Sequence, residues 1–270
     1  MARSTAGESV LQRATRILEV FDVDNPAVSV TDIAARANLP LSTAARLVDE
    51  LVDLGLLARD PSRRVRIGVH LWELASRASP TRGLREAAMP FLEDLHAVVG
   101  HHVQIGVLDD DEVLFVERLS SHQAVINVTQ VAGRLPLNAS SSGLVLLAHA
   151  APALQERVLN RPMRRFTAET IVDSSALRSF LAGVRRNDAA ICPGFIHDDA
   201  MGIAVPIRDR TDRVVAALSV IVPRGDRPSV HLGALRGAAL GIRRALDRPG
   251  LIAPRVLADG TDCNEVTPIE

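Results

Sequence analysis

Residues 29–68, SVTDIAARANLPLSTAARLVDELVDLGLLARDPSRRVRIG, decide how the rest of the chain is read. Val30, Ile33, Ala34 and Ala37 recur at i, i+3, i+4 and i+7, which makes one apolar stripe on a helix. Ser29 and Asp32 stand where N-terminal capping groups belong. Asn38-Leu39-Pro40 breaks the pattern, and Pro40 suits the first turn of a second helix, where its missing N–H costs nothing. That second helix hides Ala44, Leu47, Val48 and Leu51 and turns Ser42, Thr43, Ala45 and Arg46 outward. Gly55 ends it. Leu56 to Arg59 and Arg64 to Ile67 then read as a hairpin around Asp60-Pro61-Ser62, with Arg63, Arg64 and Arg66 on its tip and second strand.

Two helices about a tight corner, followed by a basic hairpin, predict a winged helix-turn-helix domain. Small or hydrogen-bonding side chains plus one guanidinium can enter a major groove and still reach base edges and phosphates. Ser42, Thr43, Ala45 and Arg46 are therefore the expected contacts to double-stranded DNA, Arg46 foremost. Arg63, Arg64 and Arg66 are expected to hold the DNA backbone or reach the minor groove. The plainer reading is a small helical bundle with a solvated arginine loop, and the order of the pieces is what disfavours it.

The totals leave this reading open without supporting it. At 270 residues the chain has room for one large or two ordinary domains, and 47% apolar residues suit a packed core. The formal net charge is -1, so attraction to phosphates rests on where charge sits. Residues 1–80 balance ten Arg against ten Asp plus Glu, yet Arg59 to Arg66 carries four Arg against one Asp. All basic side chains are Arg, so phosphate contacts would be made by guanidinium forks. The start of the chain is polar and the longest apolar runs are too short to span a bilayer, so no membrane partner is expected. Cys192 and Cys263 form neither a disulfide framework nor a metal-ligand spacing, and a reduced, cytoplasmic setting is the default.

Along the chain, residues 1–8 read as a disordered N-terminus and 9–68 as the DNA-binding domain. Its first helix carries the stripe Val10, Leu11, Ala14, Ile17, Leu18 and Phe21. Residues 69–83 read as a linker helix and hinge; they carry Trp72, the only Trp, as either a local packing anchor or, the favoured reading, a dimer contact. Residues 84–248 form a second domain. A helix from Leu84 to Val99 contains Pro90 as a kink. Strands follow at Val103–Val107, Val113–Glu117 and Val125–Thr129, then at Gly202–Arg208 and Val214–Val222, with helices at Leu144–Ala151, Ser175–Arg186 and Val230–Leu246. Hairpin-linked strands with helices between groups predict an α+β domain built on one antiparallel sheet. Residues 249–270 read as a tail.

Little in the chain resembles catalytic chemistry. Asp109–Glu112 reads as a solvated turn with no ligand-spaced partner, and His101 and His102, adjacent in a strand, face opposite ways and cannot share an ion. His197-Asp198-Asp199 reads as a loop. With no nucleophile elbow, zinc-protease helix or phosphate loop, no enzyme, metal or cofactor is expected. Ser140-Ser141-Ser142-Gly143 opens an apolar helix, where free N–H groups and hydroxyls can seat a carboxylate; an ordinary capped helix is the equal alternative.

At nearly full length the chain resembles the IclR family of bacterial transcriptional regulators. The resemblance lies in Leu39-Pro40-Leu41-Ser42-Thr43-Ala44-Ala45-Arg46-Leu47 and Gly55-Leu56-Leu57-Ala58-Arg59-Asp60 of the reader. It continues in Gly133-Arg134-Leu135-Pro136-Leu137-Asn138-Ala139-Ser140-Ser141-Ser142-Gly143, Phe166-Thr167-Ala168-Glu169-Thr170-Ile171 and Ile203-Ala204-Val205-Pro206-Ile207. It implies a C-terminal GAF-like α/β ligand-binding domain, a homodimer or a tetramer (a dimer of dimers), a promoter palindrome as target and a small organic effector. By position it implies an effector pocket lined by Ser141 and Ser142 (backbone donors), Cys192, Gly202 and Ser219. Departures at Asn138, Leu144, Cys192, Gly202 and Ile221 from residues common in the family predict a roomier, less polar pocket that takes an aromatic acid or related aromatic compound. The expected protein is an effector-controlled regulator, a repressor before an activator of a catabolic operon; the rival reading is a ligand sensor acting through a protein partner.

Overall fold

The computed structural model describes residues 7–77, 79, 81–121 and 124–247. The chain divides into two compact units, residues 1–79 and 80–270. The expected disordered N-terminus lies largely, and the expected tail with Cys263 wholly, outside the described residues.

In the first unit, α1 (Val10–Leu18), α2 (Val30–Arg36) and α3 (Leu41–Asp53) pack with a three-stranded antiparallel sheet of β1 (Ala27–Val28), β2 (Leu57–Arg59) and β3 (Val65–Ile67) in the order β1-β3-β2. Ser9 and Gln12 close a reciprocal capping box on α1, and the Ser29 hydroxyl accepts from the N–H of Asp32 to start α2. Asn38, at φ 50°, makes the corner before α3. The two stripes meet where expected: Ile33, Ala34, Ala44, Leu47, Val48 and Leu51 are buried together with Ile17, Leu57 and Val65. The stripe of α1 is only partly covered, since Ile17 is buried while Val10 and Leu11 stand exposed. Phe21 lies beyond the end of that helix. The linker helix α4 (Val69–Arg77) buries none of its residues, and Trp72 is 66% exposed.

The second unit is a six-stranded antiparallel sheet with helices on both faces. Its strands are β4 (His102–Asp109), β5 (Glu112–Leu119), β6 (Arg134–Pro136), β7 (Ala190–Pro193), β8 (Ala200–Arg208) and β9 (Val214–Pro223), in the order β6-β5-β4-β9-β8-β7. One face carries Val103, Ile105, Ile203, Val205, Ile207, Leu218 and Val220, which pack on α5 (Arg82–Val99) and α9 (Pro228–Leu246). The other face is lined by smaller or polar residues, among them Gln104, Gly106, Gly202, Ala204, Ala217 and Ser219, and receives α6 (Ser141–His149). Behind α6 lie α7 (Pro152–Leu159) and α8 (Ser174–Asn187). The alternation of large and small residues along each central strand thus assigns the faces: bulk on one side, room on the other. Pro90 sits inside α5, which runs unbroken from Arg82 to Val99.

The strand expected at Val125–Thr129 does not form. The alternation is real, but the carbonyls of Val125 and Thr129 are taken by side chains, His102 Nε2 at 2.6 Å and the Arg118 guanidinium, instead of by a neighbouring strand. The free edge of β5 pairs with β6. His101 also lies outside the strand, which begins at His102. The strand β7, the short β1 and the helix α7 carry no strong periodicity and were not expected.

Candidate nucleic-acid interface and effector cleft

The exposed face of α3 begins with no side-chain cap. Pro40 occupies the N-cap position and supplies neither hydroxyl nor carboxylate, so the first-turn N–H groups have no side-chain acceptor. Such donors at the positive end of the helix dipole favour an anion. Ser42 and Arg46 are exposed here, and Thr43 and Ala45 are half-buried beside them. The Arg46 guanidinium is ion-paired with Glu50 one turn along, an exposed contact that a phosphate can displace at little cost. Arg59 is engaged by Asp49 at 2.7 Å.

The wing is built by Asp60. Its Oδ1 accepts from the Ser62 hydroxyl (2.7 Å) and from the N–H of Arg64 (2.9 Å), which holds its carboxyl below the usual carboxylate range. Arg63 turns the tip at φ 63°. Val65 is buried, while Arg64 and Arg66 on either side of it point outward, as strand alternation requires. Among the described residues the guanidiniums of Arg63, Arg64 and Arg66 make no hydrogen bond or ion pair. The same unit therefore carries three uncommitted cations on its wing and an uncapped start on α3.

In the second unit, Ser140 caps α6, its hydroxyl accepting from the N–H of Gly143 at 3.0 Å. Gly143 is required there: a Cβ would lie 2.7 Å from the carbonyl oxygen of Leu137. The cap brings the helix start against a row that crosses the sheet, where His102 pairs with Ile221, Ile221 with Gly202 and Gly202 with Cys192. A narrow cleft of about 40 Å³ opens between this row, the helix start and the 127–129 segment. Ser141, Cys192 and Gly202 line it together with Gln104, Asn127, Thr129, Phe195, Ile196, His197 and Ile221. Gly202 approaches α6 closely, since a Cβ on it would fall 2.7 Å from Ser141 Oγ.

Not every expected pocket residue reaches the cleft. Ser142 and Ser219 are not among its lining residues; both are fully buried, and the Ser142 hydroxyl donates to that of Ser219 at 2.9 Å. Cys192 does line the cleft, but burial pushes its thiol well above the ordinary range, so it stays a neutral, unreactive S–H. Phe195, Ile196 and Ile221 give the cleft its apolar walls. Residues the sequence did not single out are Gln104, Asn127 and Thr129, and His197 was read only as part of a loop. The usable signal was the polar alternation His102, Gln104, Gly106 in an otherwise apolar strand. Burial holds His102 neutral, its pKa below the usual histidine range, so Nε2–H donates to Val125 O while Nδ1 lies 3.0 Å from Ser120 Oγ. Among the described residues no cluster of His, Cys, Asp or Glu has the spacing of a metal site, and no helix is long and apolar enough to cross a membrane.

A winged helix-turn-helix unit joined to a sensor domain with a polar-capped cleft defines a class of proteins, the ligand-responsive transcriptional regulators. The chain belongs within it to the IclR family of bacterial transcriptional regulators: the IclR helix-turn-helix domain matches residues 10–61 and the IclR C-terminal domain residues 77–242. It is 31% identical to the HTH-type transcriptional regulator BhcR of Paracoccus denitrificans, over 91% of this chain and 88% of that one. It is 28% identical to the HTH-type transcriptional repressor AllR of Escherichia coli, over 80% of this chain and 81% of that one. Among solved structures, an IclR homologue from Microbacterium hydrocarbonoxydans complexed with 4-hydroxybenzoate shares 48% identity with a TM-score of 0.85, covering 88% of this chain and 99% of that one. These relatives are regulators, a DNA-binding and non-enzymatic family.

Proposed function

We propose that the protein is a transcriptional repressor released from a promoter palindrome by an aromatic acid or a related aromatic compound. In this reading residues 9–68 bind DNA in the cytoplasm through Ser42, Thr43, Ala45 and Arg46 on α3 and Arg63, Arg64 and Arg66 on the wing. Residues 69–83 link that domain to the effector domain, 84–248. The protein acts as a dimer or a dimer of dimers, with Trp72 and the other uncovered apolar residues of α4 against a second copy. Two recognition helices would then reach half-sites one helical turn, about 34 Å, or a multiple of it apart.

The effector reading is carried by the cleft. The N–H groups of Ser141 and Ser142 in the first turn of α6 have no intrahelical acceptor, and Leu135, Phe195, Ile196 and Ile221 supply apolar walls. Cys192 and Gly202 complete the floor, and Ser219 holds the helix start in place through Ser142. Among the described residues no Arg lines the cleft, so a carboxylate would be held by the helix start and hydroxyls. The 4-hydroxybenzoate in the Microbacterium homologue supports the aromatic class. The AllR relatives support the repressor role. The effector acts only insofar as it binds two arrangements of the protein with different affinity.

Calorimetry against benzoate, 4-hydroxybenzoate, pyruvate and glyoxylate, paired with gel shifts on the upstream region of the protein's own gene, tests this. Aromatic acids should bind and weaken the shifted complex. Tight pyruvate or glyoxylate binding with silent aromatic acids would overturn the effector class.

A further inference from the structure

Gln104 is 2% exposed, and the two ends of its amide have different fates. Its Oε1 accepts from Asn127 Nδ2 at 3.1 Å and from the Thr129 hydroxyl at 2.5 Å. Asn127 Oδ1 accepts from the N–H of Thr129 at 3.0 Å, so Nδ2 is the end that donates to Gln104, while the single Thr129 hydroxyl proton serves either Gln104 Oε1 or Asn127 Oδ1, 2.7 Å away. That network fixes which way the amide faces. The acceptor end is tied to the 127–129 segment, and Nε2 makes no hydrogen bond among the described residues although the side chain lines the cleft. Nε2 is not sealed from solvent, so it holds a donor open to the cleft that a molecule entering there can satisfy.

Its neighbours sharpen the point. Gln104 pairs across β4 and β9 with Ser219, whose hydroxyl is held by Ser142, so it sits on the strand next to the one that the α6 start rests on. Ser141 Oγ is also unpaired among the described residues and 3% exposed. His197 Nδ1 accepts from the N–H of Asp199 at 3.3 Å, so a neutral ring carries its proton on Nε2. Cys192 remains an S–H. Around the cleft, donors outnumber acceptors among the side chains.

We propose that Gln104 is a specificity-determining residue, its NH2 reading a second hydrogen-bond acceptor on the effector, apart from the carboxylate seated at the start of α6. The matching effector is an organic monoacid with an acceptor oxygen at that place, and an acid bearing an amine there is rejected because two donors face each other. This rests on the cleft being the effector site. Asn127 and Thr129 are the positioning residues that keep the amide from flipping.

The test is calorimetry on the full-length protein with two matched pairs, 4-methoxybenzoate against 4-aminobenzoate and pyruvate against alanine. Wild type should prefer the acceptor member of whichever pair binds by about tenfold, the size expected for a buried donor that finds or loses its partner. Gln104→Met, unbranched and of similar length, should collapse that ratio by weakening the acceptor member. Thr129→Val, isosteric but without the hydroxyl that pins Oε1, should reduce the ratio partway, and it keeps the test alive if Gln104→Met does not fold. A ratio that stays within threefold of wild type in either folded variant overturns the proposal. Binding by the aliphatic pair alone sinks the aromatic effector class and leaves the role of Gln104 to be judged on that pair. Silence from all four ligands overturns both.

Discussion

Ser142 and Ser219 show what one hydrogen bond does when nothing else is in reach. Both hydroxyls are buried without water access, and each is the other's partner. Ser142→Ala should therefore lower stability by about 1–3 kcal/mol, because the Ser219 hydroxyl is left buried and unsatisfied. Ser142→Ala combined with Ser219→Ala should cost no more than the single change, since both partners are gone. Urea unfolding of Ser142→Ala, Ser219→Ala and the double variant measures this; additive losses would show that the hydroxyls act independently. At this scale the sequence was informative where chemistry is unusual for its place, and silent elsewhere. Three serines before an apolar helix announced the start of α6. Gln104 gave a weaker sign, the polar alternation of its strand, because a polar residue in an alternating strand is ordinarily a solvated one. Only the structure reveals that its neighbours Asn127 and Thr129 come from a segment more than twenty positions away.

The two reading elements, α3 and the wing, were legible because their signals are local. Capping residues, Pro40, Gly55 and the Asp60 turn each act within a few positions, and apolar spacing did the rest. The segment at Val125–Thr129 was misread for the opposite reason: period-two alternation identifies a side that is buried but cannot say whether a strand or a side chain takes the backbone carbonyls. For the wing, free guanidiniums imply simple electrostatics. If Arg64 meets a phosphate, Arg64→Ala should weaken binding evenly across operator variants and reduce the slope of log K against log salt by roughly one. Titrations at four salt concentrations give that slope; an unchanged value would remove Arg64 from the contact.

For the molecule as a whole, the α+β class, the winged reader and the antiparallel sheet follow from patterns spread over many residues, and the structure agrees with all three. Strand order was out of reach, since β4 lies between β5, its chain neighbour, and β9, more than a hundred residues on. Assembly is read from what the chain leaves uncovered. An amphipathic helix with no buried residue is an unfinished core, and Trp72 is its largest apolar group. Trp72→Arg should shift the protein toward monomer in sedimentation runs and lower operator affinity through lost bivalency, with little change in effector binding. A dimer as tight as wild type would place the contact elsewhere. The unequal faces of the six-stranded sheet have a consequence for descent with modification. Large side chains on the α5 and α9 side fill their own core, whereas small residues on the α6 side let that helix start come close and leave a cleft beside it. On the proposed reading, a methyl gained or trimmed among the cleft-lining side chains, away from the close-packed Gly143 and Gly202, would alter which molecule is sensed while the scaffold survives, so inducer preference should diverge among relatives faster than the architecture that houses it.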